Sequence, residues 1–270
     1  KIMRKNNYKI VVLSDLKDNV KSILKSTITL SKMIDGKIKF FHVISASDVV
    51  EKENQLSAMR SINSEFKTID KKIQQLLAPI SKEYDVAINA KFSIGNVKNE
   101  IDKYIKETQP DIIVLGKKKS TSFSFIGDNL TDFILKTHRG VIMISSVNTT
   151  LEPGKEITLG ILNGTKPSSS LDFADALIKN SQKPLKSFKI VKGKDSFEGA
   201  ATSTKEKIVE FVFEKNDNSI KNLSNYVSKN NINLLCVNRG DQNHKNKADV
   251  KDLIGKINTS LLISADENIH

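Results

Sequence analysis

The chain has no tryptophan, four tyrosines, five prolines and one cysteine in 270 residues. A single cysteine excludes an internal disulfide and fits a reducing compartment. That residue, Cys236, sits in the apolar run Leu234-Leu235-Cys236-Val237, where it reads as a small buried hydrophobe and not as a reactive thiol. Long apolar runs are also missing: Ile112-Ile113-Val114-Leu115 is typical, whereas a membrane-spanning helix needs about 20 such residues. The opening residues 1–7 are basic but have no apolar centre of the kind a signal peptide carries. These absences lead to the expectation of a cytoplasmic protein without membrane contact.

Arginine is scarce as well. Of 43 basic residues only Arg4, Arg60, Arg139 and Arg239 are arginines. The net charge of +12 invites a nucleic-acid reading. Yet arginine is the side chain that grips phosphates and bases bidentately, and single strands are held by aromatic stacking. Lysines scattered over every segment, with few rings between them, argue against a nucleic-acid partner and for a general compositional drift. The histidines His42, His138, His244 and His270 are far apart, and no His/Cys/Asp/Glu spacing suggests a metal site. No serine lies in a nucleophile elbow and no Walker-type loop occurs. Nothing in the residues argues for catalysis.

What is present is an alternation of strand and helix signals. Ile10–Leu13 is a continuous apolar run, as expected of a central parallel strand covered on both faces. A helix follows, with Asp18 and Asn19 as candidate caps, apolar positions from Val20 to Ile34, and Gly36 as its stop. Ile38–Ile44 reads as a second strand. A long helix over 51–83 carries one apolar stripe, Phe66, Ile69, Ile73, Leu76, Leu77 and Ile80 among it. Val86 to Ile94 alternates with polar residues and predicts a half-exposed edge strand. Gly95-Asn96 opens the next helix, Pro110 closes it, Asp111–Gly116 is a second buried strand, and Val141–Ile144 a fifth after Gly140. Five strands joined by helices predict an open parallel sheet.

After a linker at Thr149–Gly154 the pattern restarts, so that two units are expected, 1–150 and 151–270. The repeat is visible in the residues themselves. Asn99–Ile105 lies opposite Lys221–Val227, with Tyr104 on Tyr226. At the same offset Asp111–Leu115 lies opposite Asn233–Val237, and the final strands Val141–Ser145 and Ser260–Ser264 match in turn. The second copy is shorter and is expected to lack most of the long helix.

In an open parallel sheet ligands bind beyond the carboxyl ends of the strands, where the strand order reverses. There the first copy resembles the universal stress protein family. Ile10–Asp15 with Asp18-Asn19 resembles the family's opening strand and turn, with Lys17 in place of a serine. Phe41-His42-Val43 resembles the His-Val ending of the second strand, Ile94-Gly95-Asn96 with Ile101 the end of the third, and Asp111–Gly116 through Gly140–Met143 the fourth and fifth strands with the loop and helix between. The resemblance covers 8–146 well and 156–265 weakly. It implies two tandem α/β domains, each a five-stranded parallel sheet in the order 3-2-1-4-5, in a cytoplasmic stress-response protein. It also implies that the two domains pair with each other and leaves a homodimer open.

Many family members hold ATP or another adenine nucleotide through a glycine-rich loop before the last helix. The residues matching that site are Ser14, Asp15, Val43, Gly116, Lys117, Lys119, Gly127, Asp128 and Asn129. Glycines let backbone N–H groups approach phosphate at a helix N-terminus. Here Lys119 occupies the second glycine position, the loop is two residues shorter, and Asp128 stands where a hydroxyl would meet phosphate. Lys117, Lys118 and Lys119 offset part of that loss as point charges. The second copy departs further, with Gly164 in place of Asp15 and Asn238 in place of Gly116. The expectation is a non-catalytic sensing or interaction module with a degenerate nucleotide pocket. The alternative is an adenine-nucleotide-binding protein that uses the first copy alone, with slow ATPase activity.

Overall fold

The apolar run at Ile10–Leu13 becomes the centre of β1 (Tyr8–Ser14), and Ile10, Val11 and Val12 are fully buried because helices cover both faces of the sheet. The computed structural model describes residues 7–16, 19–45, 55–117, 128–164, 166–167, 171–191, 208–239 and 250–265, side chains of 55–63, 128 and 129 excepted. The first half continues with α1 (Val20–Ile34), β2 (Gly36–Ser45), α2 (Gln55–Tyr84), β3 (Ile88–Gly95), α3 (Val97–Thr108), β4 (Ile112–Gly116), α4 (Asp128–Thr137) and β5 (Val141–Ser145). The second contains β6 (Leu159–Leu162), α5 (Ala174–Lys179), β7 (Leu185–Val191), β8 (Ile208–Glu214), α6 (Ser219–Lys229), β9 (Leu234–Val237), α7 (Val250–Lys256) and β10 (Ser260–Ile263).

Among the described residues, ten strands form one sheet, in the order β3-β2-β1-β4-β5-β10-β9-β6-β7-β8. Each half is parallel throughout and has the order 3-2-1-4-5. The join between them is antiparallel, with Leu261 opposite Ile144, Leu262 opposite Met143 and Ile263 opposite Ile142. Helices α1, α2 and α5 pack on one face around Leu24, Ile73 and Leu177. On the other, α3, α4, α6 and α7 pack around Ile101, Ile134, Leu223 and Leu253. Both cores run across the join. Among the described residues no helix is long and apolar enough to cross a membrane.

The helix ends differ in detail from expectation. Asp35, not Gly36, makes the left-handed turn after α1 (φ 55°), and its N–H bonds the Ser31 carbonyl. Gly36 instead starts β2, where a Cβ would stand 2.6 Å from Ile10 Cδ1. Asn19 is the N-cap residue of α1 without a capping bond from its side chain, and Asp18 lies outside the described residues. Asn96 does cap α3, accepting from the Asn99 N–H at 3.2 Å. The segment after β5 is no free linker. Leu151 is buried, its N–H donates to Ser26 Oγ at 3.0 Å, and Thr29 Oγ1 donates to its carbonyl at 3.1 Å.

The repeat extends to packing. The strand registers match Val11 with Gly160, Phe41 with Phe188, Lys91 with Phe211 and Ser93 with Phe213. In the first half Phe41 stacks on Tyr104 with ring centroids 3.9 Å apart. In the second, Phe188 meets Tyr226 edge-on at 5.9 Å and leans over Gly160. On the opposite face of β7 and β8, Lys189 pairs with Glu210 at 2.9 Å. The matched positions on β2 and β3 are His42, which is buried, and Ala90, and the neighbouring Ile88 and Phe92 pack in the core that includes Ile73 and Leu77 of α2. Residues 192–207, where a counterpart of α2 would fall, lie outside the described residues.

A Cβ at Gly160 would lie 2.8 Å from Phe188 Cε2 and 2.9 Å from Leu235 Cδ1, both buried. Gly160→Ala is expected to lower unfolding free energy by about 1–3 kcal/mol through overpacking. In a denaturant titration the added change Phe188→Leu should recover part of that loss, and an additive pair of effects would contradict this packing.

Candidate functional site

Strand β1 lies between β2 and β4, so the sheet order reverses at the carboxyl ends of these strands. Ser14 ends β1 and Asp15 follows it, Val43 lies near the end of β2, and Gly116 and Lys117 end and follow β4. The fold therefore brings Ser14, Asp15, Val43, Gly116 and Lys117 to one end of the sheet. Lys119 and Gly127 lie outside the described residues; Asp128 and Asn129 begin α4, and only their backbone is described.

Ser14, Val43, Gly116 and Lys117 each have a local structural task. Ser14 Oγ accepts the Leu16 N–H at 3.1 Å, closing a turn in which Leu16 is left-handed (φ 58°). The Ser14 carbonyl accepts from His42 Nδ1 at 2.8 Å, which fixes the proton on that nitrogen. His42 is 8% exposed, and burial lowers its pKa from the ordinary histidine value. It staples β1 to β2 as an uncharged group. Val43 is buried in the core. A Cβ on Gly116 would collide with the end of the Ile23 side chain, so the packing of α1 bears on this glycine.

Lys117 is the residue whose placement matters most. Its N–H donates to the Ser145 carbonyl of β5 at 2.7 Å, and its side chain crosses the join, where Nζ donates to the carbonyl of Ile257. Ile257 follows α7 and donates its own N–H to Leu253, so its carbonyl belongs to the end of that helix. Burial lowers the Lys117 pKa. A cation at a helix carboxyl end meets the negative end of the helix dipole, and a hydrogen bond from a charged donor contributes roughly 1.5–3 kcal/mol.

The second half returns the contact. Arg239, the residue matched to Lys117 in the repeat, donates from its guanidinium to the His138 carbonyl at 2.6 Å. His138 follows α4 as Ile257 follows α7, and its N–H bonds Ile134 as that of Ile257 bonds Leu253. Each half thus caps the last helix of the other with the basic residue after its own fourth strand. Sequence reasoning placed Lys117 beside phosphate and gave Arg239 no role. The signal that could have joined them is their matched position and shared charge.

His138 is 6% exposed, and its Nε2 is buried without a hydrogen-bond partner. Burial, then the neighbouring Arg239 charge, lowers its pKa to about 4. Cys236 is buried and its thiol is pushed up to about 12, consistent with an inert packed residue. A cavity of about 140 Å³ between β3 and α3 is lined by Phe41, Lys91, Ser93, Glu100, Tyr104 and Glu107 among others. Its charges answer each other: Lys91 pairs with Glu107 at 3.4 Å and Ser93 bonds Glu100. In the second half Phe211 and Phe213 occupy the matched positions and pack on Tyr226. Among the described residues no group of three or more His, Cys, Asp or Glu could hold a metal ion.

Comparison with known proteins gives a consistent picture. The model of the universal stress protein family matches residues 7–145. A universal stress protein from Archaeoglobus fulgidus is similar in structure with a TM-score of 0.62 at 10% identity, covering 97% of both chains. A functionally unknown protein from Pseudomonas aeruginosa gives 0.57 at 7% identity, covering 96% of this chain and 92% of that one. A universal stress protein solved in complex with cAMP gives 0.33 at 12% identity, covering 52% of this chain and 97% of that one. At such identities the likeness concerns the fold. No curated protein matches the sequence.

The His138 environment predicts acid sensitivity. Its folded pKa of about 4 lies below the ordinary 6.5, so between those values the unfolded chain takes up a proton that the folded chain refuses. Stability should therefore be full above about pH 6.5 and fall as the pH drops towards 4, by about 3 kcal/mol from this residue. Urea midpoints measured from pH 7 to 4 should fall less steeply in His138→Asn, with the His42 contribution retained; equal slopes would contradict the assignment.

Proposed function

The chain belongs to the universal stress protein family, and we propose that it serves there as a non-catalytic sensing or interaction module with a degenerate nucleotide pocket. One observation carries this reading. The ammonium of Lys117, the described cation best placed to meet a phosphate beyond β4, is engaged with the Ile257 carbonyl of the other half. The loop sequence supports it, since Lys119 and Asp128 replace a glycine and a hydroxyl at the positions that would approach phosphate. We read 1–150 and 151–270 as two units that act as a pair in the cytoplasm, the second being a structural partner.

A second reading is that the first half holds an adenine nucleotide. It draws support from the gathering of Ser14, Asp15 and Gly116 at the strand ends. Thermal unfolding with and without Mg-ATP separates the two. Ligand at 100 times its Kd adds about 2.7 kcal/mol of stability. Our reading predicts a shift below about 1 °C at millimolar ATP, against the several degrees that such a gain would bring. It also predicts a clear shift once Lys119→Gly and Asp128→Ser are combined, because a Cβ and a repelling charge are then removed. Binding by the natural chain at low micromolar concentration, or no gain in the variant, would favour the second reading.

A further inference from the structure

The join between the halves obeys a local two-fold symmetry. Met143 and Leu262 hold matched positions in the repeat, and they are also paired opposite each other across β5 and β10. An axis therefore passes between them, and any residue near it meets its own counterpart. Asp132 of α4 and Lys251 of α7 are such counterparts, each eleven positions before its axis residue. They touch: Lys251 Nζ donates to Asp132 Oδ2 at 2.7 Å.

Two first halves joined in this way would set Asp132 against Asp132, and two second halves Lys251 against Lys251. Opposite charges at that point can arise only between unlike halves. A second asymmetry lies beside it. Ser260 Oγ accepts the buried Ser146 N–H at 3.0 Å, and the Ser260 N–H donates to Thr149 Oγ1 at 2.8 Å. The position matched to Ser260 is Val141, which has no hydroxyl to offer. Two first halves would thus leave the Ser146 N–H facing an apolar side chain. The Lys117 and Arg239 contacts, by contrast, end on backbone carbonyls and would survive either pairing.

We propose that the face formed by β5 and α4 is reserved for the second half of the same chain, and that Asp132, Lys251 and Ser260 reject like halves of a second copy. The pair is about half exposed, so its effect is small in energy and lies in discrimination. The contact can be read in the natural protein with a zero-length carbodiimide, which joins a carboxylate to a touching amine. Isotope-labelled and unlabelled chains are unfolded together, refolded as a mixture, coupled and digested. The Asp132–Lys251 link is expected only within chains of one label. A link between labelled and unlabelled chains, or none at this pair, would overturn the proposal. Charge reversal supplies the second arm. Asp132→Lys and Lys251→Asp should each lower Tm by about 2 °C. The exchange of both should return to within about 1 °C of the natural chain, because the opposite charges are restored. An exchange variant as unstable as the single reversals would also overturn it.

Discussion

Lys117 and Arg239 reach in opposite directions between the halves of this molecule, and the rest of the architecture is arranged around that exchange. Lys117 reaches from the end of β4 to the Ile257 carbonyl, and Arg239 from the end of β9 to the His138 carbonyl. Both bonds end on the carboxyl termini of helices, where unsatisfied carbonyls concentrate negative potential. Between them lies the antiparallel pairing of β5 with β10, buried on both faces. Two five-stranded sheets would each expose an edge there, and joining them removes both liabilities at once. The result is one ten-stranded sheet with two continuous cores.

This arrangement bears on function because Lys117 belongs to two places. It follows β4 at the end of the sheet where the family resemblance implies a phosphate, yet its ammonium is engaged by the neighbouring half. Gly116 and His42 show the same tension on a smaller scale. The glycine makes room for Ile23, and the histidine ties β1 to β2, so both residues have structural causes that need no ligand. Of the candidate residues, Ser14, Val43, Gly116 and Lys117 thus have structural causes, and these support the proposal of a module that acts through its surface.

Much of the fold was legible in the residues. Uninterrupted runs such as Ile112–Leu115 announced buried parallel strands, and the alternation from Val86 to Ile94 announced the edge strand β3. Tyr104 and Tyr226 mark the repeat in the residues alone, and they hold matched aromatic neighbours, Phe41 and Phe188. The site was less legible. Position along a strand places a residue at the sheet's end but does not say which way a long side chain turns, and Lys117 turned to the other half. Nor does sequence reveal which counterparts meet on a symmetry axis. Asp132 and Lys251 look like ordinary surface charges until the pairing of Met143 with Leu262 is known. The helix stop at Gly36 misled for a related reason: Asp35 adopted the left-handed turn, and the glycine served close packing against Ile10.

The central claim is that the join between β5 and β10 is interior structure, as firm as the strands beside it. Native-state amide hydrogen exchange tests it most directly. Amides of Ile142–Ile144 and Leu261–Ile263 should exchange among the slowest in the protein and at closely similar rates. Those of the edge strands β3 and β8 should exchange faster. If the β5 and β10 amides exchange as readily as the edges while β1 and β6 stay protected, the halves separate on their own and the account is wrong.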